Sequence, residues 1–171
     1  AFTALSGLVD QLEVAGRRIL VVSVPGDRRD EDVAEAARIL ASHFDVFICK
    51  ADANRRGRGH DEIPQMLRKN LMANGVASEN IIIQTEEPEA LDIALNMAAE
   101  GDLVVINGDD TVRCWKQIIY FKNPNKDAPL AARTKPALSV VGMEELIGES
   151  DQLIRDERGV RLSRSTGEAA D

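Results

Sequence analysis

GRRILVVSVPGDRRDEDVAEAARIL, Gly16 to Leu40, decides the fold. Ile19-Leu20-Val21-Val22 is short and apolar throughout, three of its four residues are β-branched, and turn residues bound it at Gly16 and Pro25-Gly26. That combination reads as a strand buried on both faces. Val33, Ala37, Leu40 and Phe44 then recur at helical spacing, so a strand, a sharp turn and an amphipathic helix follow in order.

The same unit repeats outward along the chain. Val46-Phe47-Ile48-Cys49 is a second strand, followed by a helical stripe of Ile63, Met66, Leu67 and Leu71, with Pro64 tolerated in the first turn. Ile81-Ile82-Ile83 precedes a stripe of Leu91, Ala94, Leu95 and Ala98. Leu103-Val104-Val105-Ile106 precedes a helix whose Val112, Trp115 and Ile119 are expected to face inward. Upstream, Leu5, Leu8, Val9 and Leu12 predict a first helix ended by Gly16. Apolar strands alternating with amphipathic helices mean an α/β domain of the Rossmann-like, doubly wound class, with a mostly parallel sheet and helices on both faces.

After Phe121 the periodicity fades. Lys122 to Pro136, with three prolines, reads as a loop, and Leu138 to Val141 as one more strand. Gln152 to Ser163 predicts a terminal hairpin turning at Asp156-Glu157-Arg158-Gly159, and Ser165 to Asp171 a frayed polar tail. The expected division is a Rossmann-like domain over residues 1–150 and an extension over 151–171.

Composition bounds the function. The 171 residues are 44% hydrophobic and 29% charged, with a net charge of −8, which disfavours nonspecific binding to nucleic acid or to an anionic membrane surface. No apolar run approaches the ~20 residues of a membrane span. Cys49 and Cys114 lie in apolar segments and read as reduced core thiols of a cytoplasmic protein. With His43 and His60 the only histidines, no zinc-ligand spacing exists and no metal site is expected. Neither GxGxxG nor GxxxxGK[ST] is present, so the dinucleotide fingerprint and the ATP-binding P-loop are both absent.

Ligands of open parallel sheets bind beyond the carboxyl ends of the strands, so the loops there carry the chemistry. In the first, residues 25–32, Asp30 is a candidate N-cap, with Glu31 and Asp32 at the positive end of the helix dipole. Asp27, Arg28 and Arg29 exceed what a cap needs and are candidate substrate-binding residues. The second, residues 50–60, sets Lys50, Arg55, Arg56, Arg58 and His60 against one acid, Asp52. Guanidinium groups hold carboxylates or phosphates through paired hydrogen bonds, and Gly57 and Gly59 permit close approach, so an anion is expected there. Asp52, Asn54, Arg55, Arg56 and Arg58 join the candidates. In the third loop, Asp109 and Asp110 either cap the following helix or bind an ammonium or guanidinium group.

VVSVPGDRRDEDV (21–33), KADANRRGRG (50–59) and GDLVVINGDDTVRCWKQI (101–118) together resemble the C-terminal domain of the cyanophycin synthetase family, within the Mur ligase superfamily. The resemblance runs from Ala1 to about Phe121. It implies a ligase in which ATP, with Mg, phosphorylates a substrate carboxylate and an amine attacks the acyl phosphate. It further implies arginine as the amine and an aspartate side chain of a cyanophycin-like or peptide chain as the acceptor. In such enzymes this domain closes over a central ATP-binding domain of the same polypeptide. Asp52, Asn54, Arg55 and Arg56 match the superfamily loop that contacts the incoming amino acid, with arginine standing where that loop has proline.

The family's DYxHN-type motif and P-loop have no counterpart in this sequence, which opens within a helical pattern and without an initiator Met. The expectation is therefore a substrate-positioning fragment, without catalytic residues of its own and inactive alone, whose parent is compatible with a homo-oligomer. A ligase of peptidoglycan-precursor or folylpolyglutamate type and a stand-alone, non-enzymatic anion-binding module are the alternatives.

Overall fold

The computed structural model describes residues 1–122, 151–156 and 159–164. Helix α1 (Phe2–Asp10) leads into β1 (Arg18–Val22), α2 (Asp30–Leu40), β2 (Val46–Cys49) and α3 (Glu62–Ala73). A 3-10 turn over Ser78–Asn80 precedes β3 (Ile81–Ile83), α4 (Glu87–Met97), β4 (Leu103–Ile106) and α5 (Thr111–Ile119). The first four strands form one parallel sheet in the order β3-β2-β1-β4. The chain moves outward from β1 in one direction and then crosses to its other side for β4. That reversal opens a crevice at the carboxyl ends of the strands.

Strand alternation divides the core into two layers. Leu20, Val22, Phe47 and Cys49 point to one face and pack with Val9, Val33, Ala37, Leu40, Leu67 and Leu71 of α1, α2 and α3. Ile19, Val21, Val46 and Ile48 point to the other and meet Ala90 and Ala94 of α4. Helix α5 lies beside α4, tied by Gln117 Nε2, which donates to the Pro88 carbonyl and to Asp92 Oδ1, both at 2.7 Å. The α/β, doubly wound architecture with helices on both faces is as the sequence predicts.

Three expectations for helix faces need correcting. Helix α1 ends at Asp10, well before Gly16, so Leu12 lies beyond the helix and its spacing no longer carries it to the core. Leu8 sits one residue off the stripe formed by Phe2, Leu5 and Val9 and is 57% exposed. In α5 the buried residue is Cys114; Val112, two residues and therefore about 200° around the helix from it, is exposed.

Gly16 serves a different purpose from a helix stop. A Cβ there would meet Asp102 Oδ1 at 2.2 Å, because Asp102 receives the Arg17 backbone N–H at 2.7 Å and the Arg17 guanidinium. This pair, and Asp10 with Arg18 and His43, fasten the amino-terminal edge of the sheet.

The terminal hairpin is present, with β5 (Asp151–Asp156) pairing antiparallel to β6 (Gly159–Arg164) and Asp156 opposite Gly159. The predicted loop over 123–136, the strand over Leu138–Val141, the tail from Ser165 and the division at residue 150 lie outside the described residues. No helix among the described residues is long and apolar enough to cross a membrane.

Candidate functional site

Beyond the last residue of β2 the alternation continues for one more position. Val46 and Ile48 face α4, and so does Lys50, whose side chain is wholly buried. An ammonium in that position needs partners for all three of its donors. It has them: Ser23 Oγ at 3.1 Å, Glu87 Oε2 at 2.9 Å and Asp109 Oδ2 at 2.9 Å. Lys50 thereby joins the ends of β1 and β2 to the start of α4 and the β4–α5 loop.

Glu87, the first residue of α4 and 6% exposed, is the other half of this junction. Its carboxylate accepts the backbone N–H of Asp109 at 2.7 Å and of Asp110 at 3.3 Å, the Arg113 guanidinium, and the Cys114 thiol at 3.3 Å. Burial alone would raise its pKa, but the Asp109 N–H and the Lys50 ammonium outweigh burial and hold the carboxyl at about 2. Burial and the neighbouring Glu87 carboxylate push the Cys114 thiol up to about 11, and burial pushes Cys49 to about 12. Both cysteines are free and buried.

A depressed carboxyl pKa contributes stability above the unfolded-state value and loses it as pH falls toward the folded-state value. Glu87 is thus expected to stabilise the fold fully above about pH 4.5 and progressively less toward pH 2, by up to about 3 kcal/mol. Urea unfolding of the wild type and Glu87→Gln across pH 7 to 2.5 measures this. The gap between the two proteins should close on acidification; a constant gap would assign the effect to packing alone.

The first two loops form one body. Arg58, with its side chain 18% exposed, donates to the Gly26 carbonyl at 2.9 Å, the Arg28 carbonyl at 2.7 Å, Asp30 Oδ1 at 2.8 Å and Glu62 Oε1 at 2.7 Å. Gly26 is required where the loops touch, because a Cβ would lie 2.1 Å from the Arg55 carbonyl oxygen. The second loop turns by two successive side-chain caps: Asp52 Oδ1 accepts the Asn54 N–H at 2.8 Å, and Asn54 Oδ1 accepts the Arg56 N–H at 3.3 Å. Arg56 adopts a left-handed backbone (φ 51°), and its side chain pairs with Asp27 of the first loop. A non-glycine residue there is uncommon, and the interloop ion pair accompanies it.

These contacts sort the ten sequence candidates. Arg58 is a clamp between loops. Asp27 and Arg56 hold each other, and Asp52 and Asn54 shape the turn. Arg29, rather than Asp30, is the N-cap of α2 and pairs with Asp32, while Asp30 opens the helix and receives Arg58. Asp110 caps α5 by accepting the Arg113 N–H at 3.0 Å. Asp109 is engaged by Lys50 and by the Ala53 N–H at 3.0 Å. Arg28 and Arg55 alone among the ten have no hydrogen-bond or ion-pair partner for their side chains among the described residues.

Arg55 borders a small open cleft of about 140 Å³. The second loop supplies Asp52, Arg55 and His60; the β3–α4 segment supplies Glu86 and Glu87; Asp109 and Arg113 complete it. Arg28 and Arg29 do not line it. The cleft carries both signs of charge, which suits a ligand that is itself charged at two ends.

Lys50, Ser23, Glu86, Glu87 and Arg113 were not among the candidates. In sequence Lys50 reads as one more cation of the basic loop where an anion is expected. Its signal was the continuation of the Val46–Ile48 alternation by one step. Glu87 carried the weaker signal of an acid before Pro88 in a helical first turn. Which carboxyl would meet Lys50 follows only from the sheet order.

Parallel sheet, strand-end crevice and mixed-charge cleft define an α/β domain of the Rossmann-like class. The chain belongs to the Mur ligase family, matching its glutamate ligase domain over residues 1–109. It is 36% identical over 113 residues to a cyanophycin synthetase of Crocosphaera subtropica, covering 64% of this chain and 12% of that protein. It is 40% identical over 93 residues to the cyanophycin synthetase of a Synechocystis species, covering 53% and 10%. A UDP-N-acetylmuramoyl-L-alanyl-D-glutamate–2,6-diaminopimelate ligase of Xylella fastidiosa is 29% identical over 126 residues, covering 74% and 24%. The chain therefore spans about a tenth of the length of the cyanophycin synthetases it matches. Among solved structures, a ligase of the same diaminopimelate type aligns with a TM-score of 0.47 at 19% identity, covering 61% of this chain and 20% of that one.

Proposed function

We propose that this chain is the amine-substrate domain of an ATP-dependent amide ligase of the cyanophycin synthetase kind, and that its cleft receives the incoming amino acid, arginine. The observation that carries the reading is Arg55: a guanidinium with no partner among the described residues, on a loop locked in place by Arg58, Asp52 and Asn54, at the border of a cleft of mixed charge. A guanidinium so held can grip a carboxylate through two parallel hydrogen bonds with little loss of freedom on binding.

Arg55 is assigned to the amino acid's carboxylate, and Arg28, outside the cleft on the first loop, to the acceptor's carboxylates or its acyl phosphate. Asp27, Arg29, Asp52, Asn54, Arg56 and Arg58 act by holding those two in position. ATP and Mg are bound by a central domain of the parent polypeptide, since this sequence has no P-loop. Catalysis then comes from proximity: closure of this domain brings the amine against the acyl phosphate formed on the other. The 171 residues alone are expected to hydrolyse no ATP.

Similarity to a diaminopimelate ligase over 74% of the chain favours a second reading, in which the amine is diaminopimelate. ADP release by a full-length ligase carrying this domain separates the two. Activity should require L-arginine with an aspartate-chain acceptor. Activity with diaminopimelate and a muramoyl dipeptide acceptor, and none with arginine, would establish the second reading instead.

A further inference from the structure

Resting on the reading of the cleft as the amine-substrate site, we infer that Glu86 is the residue that selects a cationic side chain on the incoming amino acid, and that His60 is the group it displaces. The cleft's acids differ in how far their carboxylates are already engaged. Glu87 is saturated by Lys50, Arg113, Cys114 and two backbone N–H groups. Asp109 is held by Lys50 and the Ala53 N–H, and Asp52 by the turn it caps.

Glu86 differs. It is 61% exposed on the β3–α4 segment, and its carboxylate has a single contact among the described residues, His60 Nε2 at 3.2 Å. That contact is a full ion pair only when the imidazole is protonated, so His60 is a weaker partner for a carboxylate than a fixed cation. The same elimination among the cleft's cations leaves Arg55, which has no side-chain partner among the described residues, whereas Arg113 is committed to Glu87.

His60 and Arg55 belong to the second loop and Glu86 to the segment facing it, so the His60–Glu86 contact spans the cleft. A ligand with a carboxylate at one end and a guanidinium or ammonium at the other satisfies Arg55 and Glu86 together. Its cationic end takes the place of the imidazole. A neutral side chain of the same length would leave the Glu86 carboxylate with only His60, and gains nothing from displacing it.

The test uses a full-length ligase carrying this domain, with L-arginine as substrate and L-citrulline, its neutral near-isostere, as inhibitor. At pH 8 the arginine KM should lie at least tenfold below the citrulline Ki. Glu86→Gln should raise the arginine KM about tenfold and leave the citrulline Ki unchanged, with kcat little altered, and Glu86→Asp should restore part of the preference. An arginine-to-citrulline ratio unaffected by Glu86→Gln overturns the inference while leaving the amine-substrate reading intact. An enzyme that turns over only with amino acids lacking a cationic side chain overturns both.

Discussion

Lys50→Met should lower the free energy of unfolding by about 3–5 kcal/mol, the cost of removing one partner from a buried ion pair. Methionine keeps most of the length of the apolar stem, so packing around it changes little. What changes is that Glu87 and Asp109 lose the ammonium between them, and the Ser23 hydroxyl loses its donor. Glu87 retains Arg113 and two backbone N–H groups, but Asp109 retains only the Ala53 N–H.

Against a total stability of about 5–15 kcal/mol for a typical domain, this is a large loss. Urea denaturation measures it as a lower midpoint with an unchanged slope. The double variant Lys50→Met/Glu87→Gln should lose less than the sum of the single variants, because the two groups share one interaction. A loss below about 1 kcal/mol, or strict additivity, would mean that the buried junction does not hold the strand ends together.

Most of the fold was legible because periodicity reports burial. Ile19 to Val22 and Val46 to Cys49 are buried on both faces, and only a parallel sheet covered by helices allows that. Helix ends and helix faces were less legible. Leu12 continues a pattern that the backbone has already left, and Val112 belongs to a helix whose buried residue is Cys114, a small thiol less hydropathic than valine.

The site was legible as three loops but not as a set of roles. Arginines in one loop look alike in sequence. The distinction between Arg58, held by two carbonyls and two carboxylates, and Arg55, with no side-chain partner among the described residues, depends on which loop lies opposite. That adjacency is set by the β1–β2 pairing and by Gly26, where backbone touches backbone. The charges at Glu86 and Glu87 were hidden for a related reason. They follow β3, whose place at the sheet edge beyond β2 brings them to the second loop.

On the proposed reading, the Arg55 guanidinium, without a partner among the described residues, holds the incoming amino acid. A carboxylate bound by a charged, paired hydrogen-bond donor contributes on the order of 3 kcal/mol, which corresponds to roughly a 100-fold change. Arg55→Ala removes no internal hydrogen bond of its side chain, so thermal stability should be nearly that of the wild type. In this respect it differs from Arg58→Ala, which would free both loops. The KM for ATP should also be unchanged on the proposed reading, in which another domain binds the nucleotide.

The decisive measurement is steady-state kinetics of the full-length ligase with Arg55→Ala, varying the amino acid at saturating ATP and acceptor. The account predicts a fall of about 100-fold in kcat/KM for the amino acid, with melting temperature and ATP dependence preserved. A value within twofold of the wild type would show that the cleft is not the amine site.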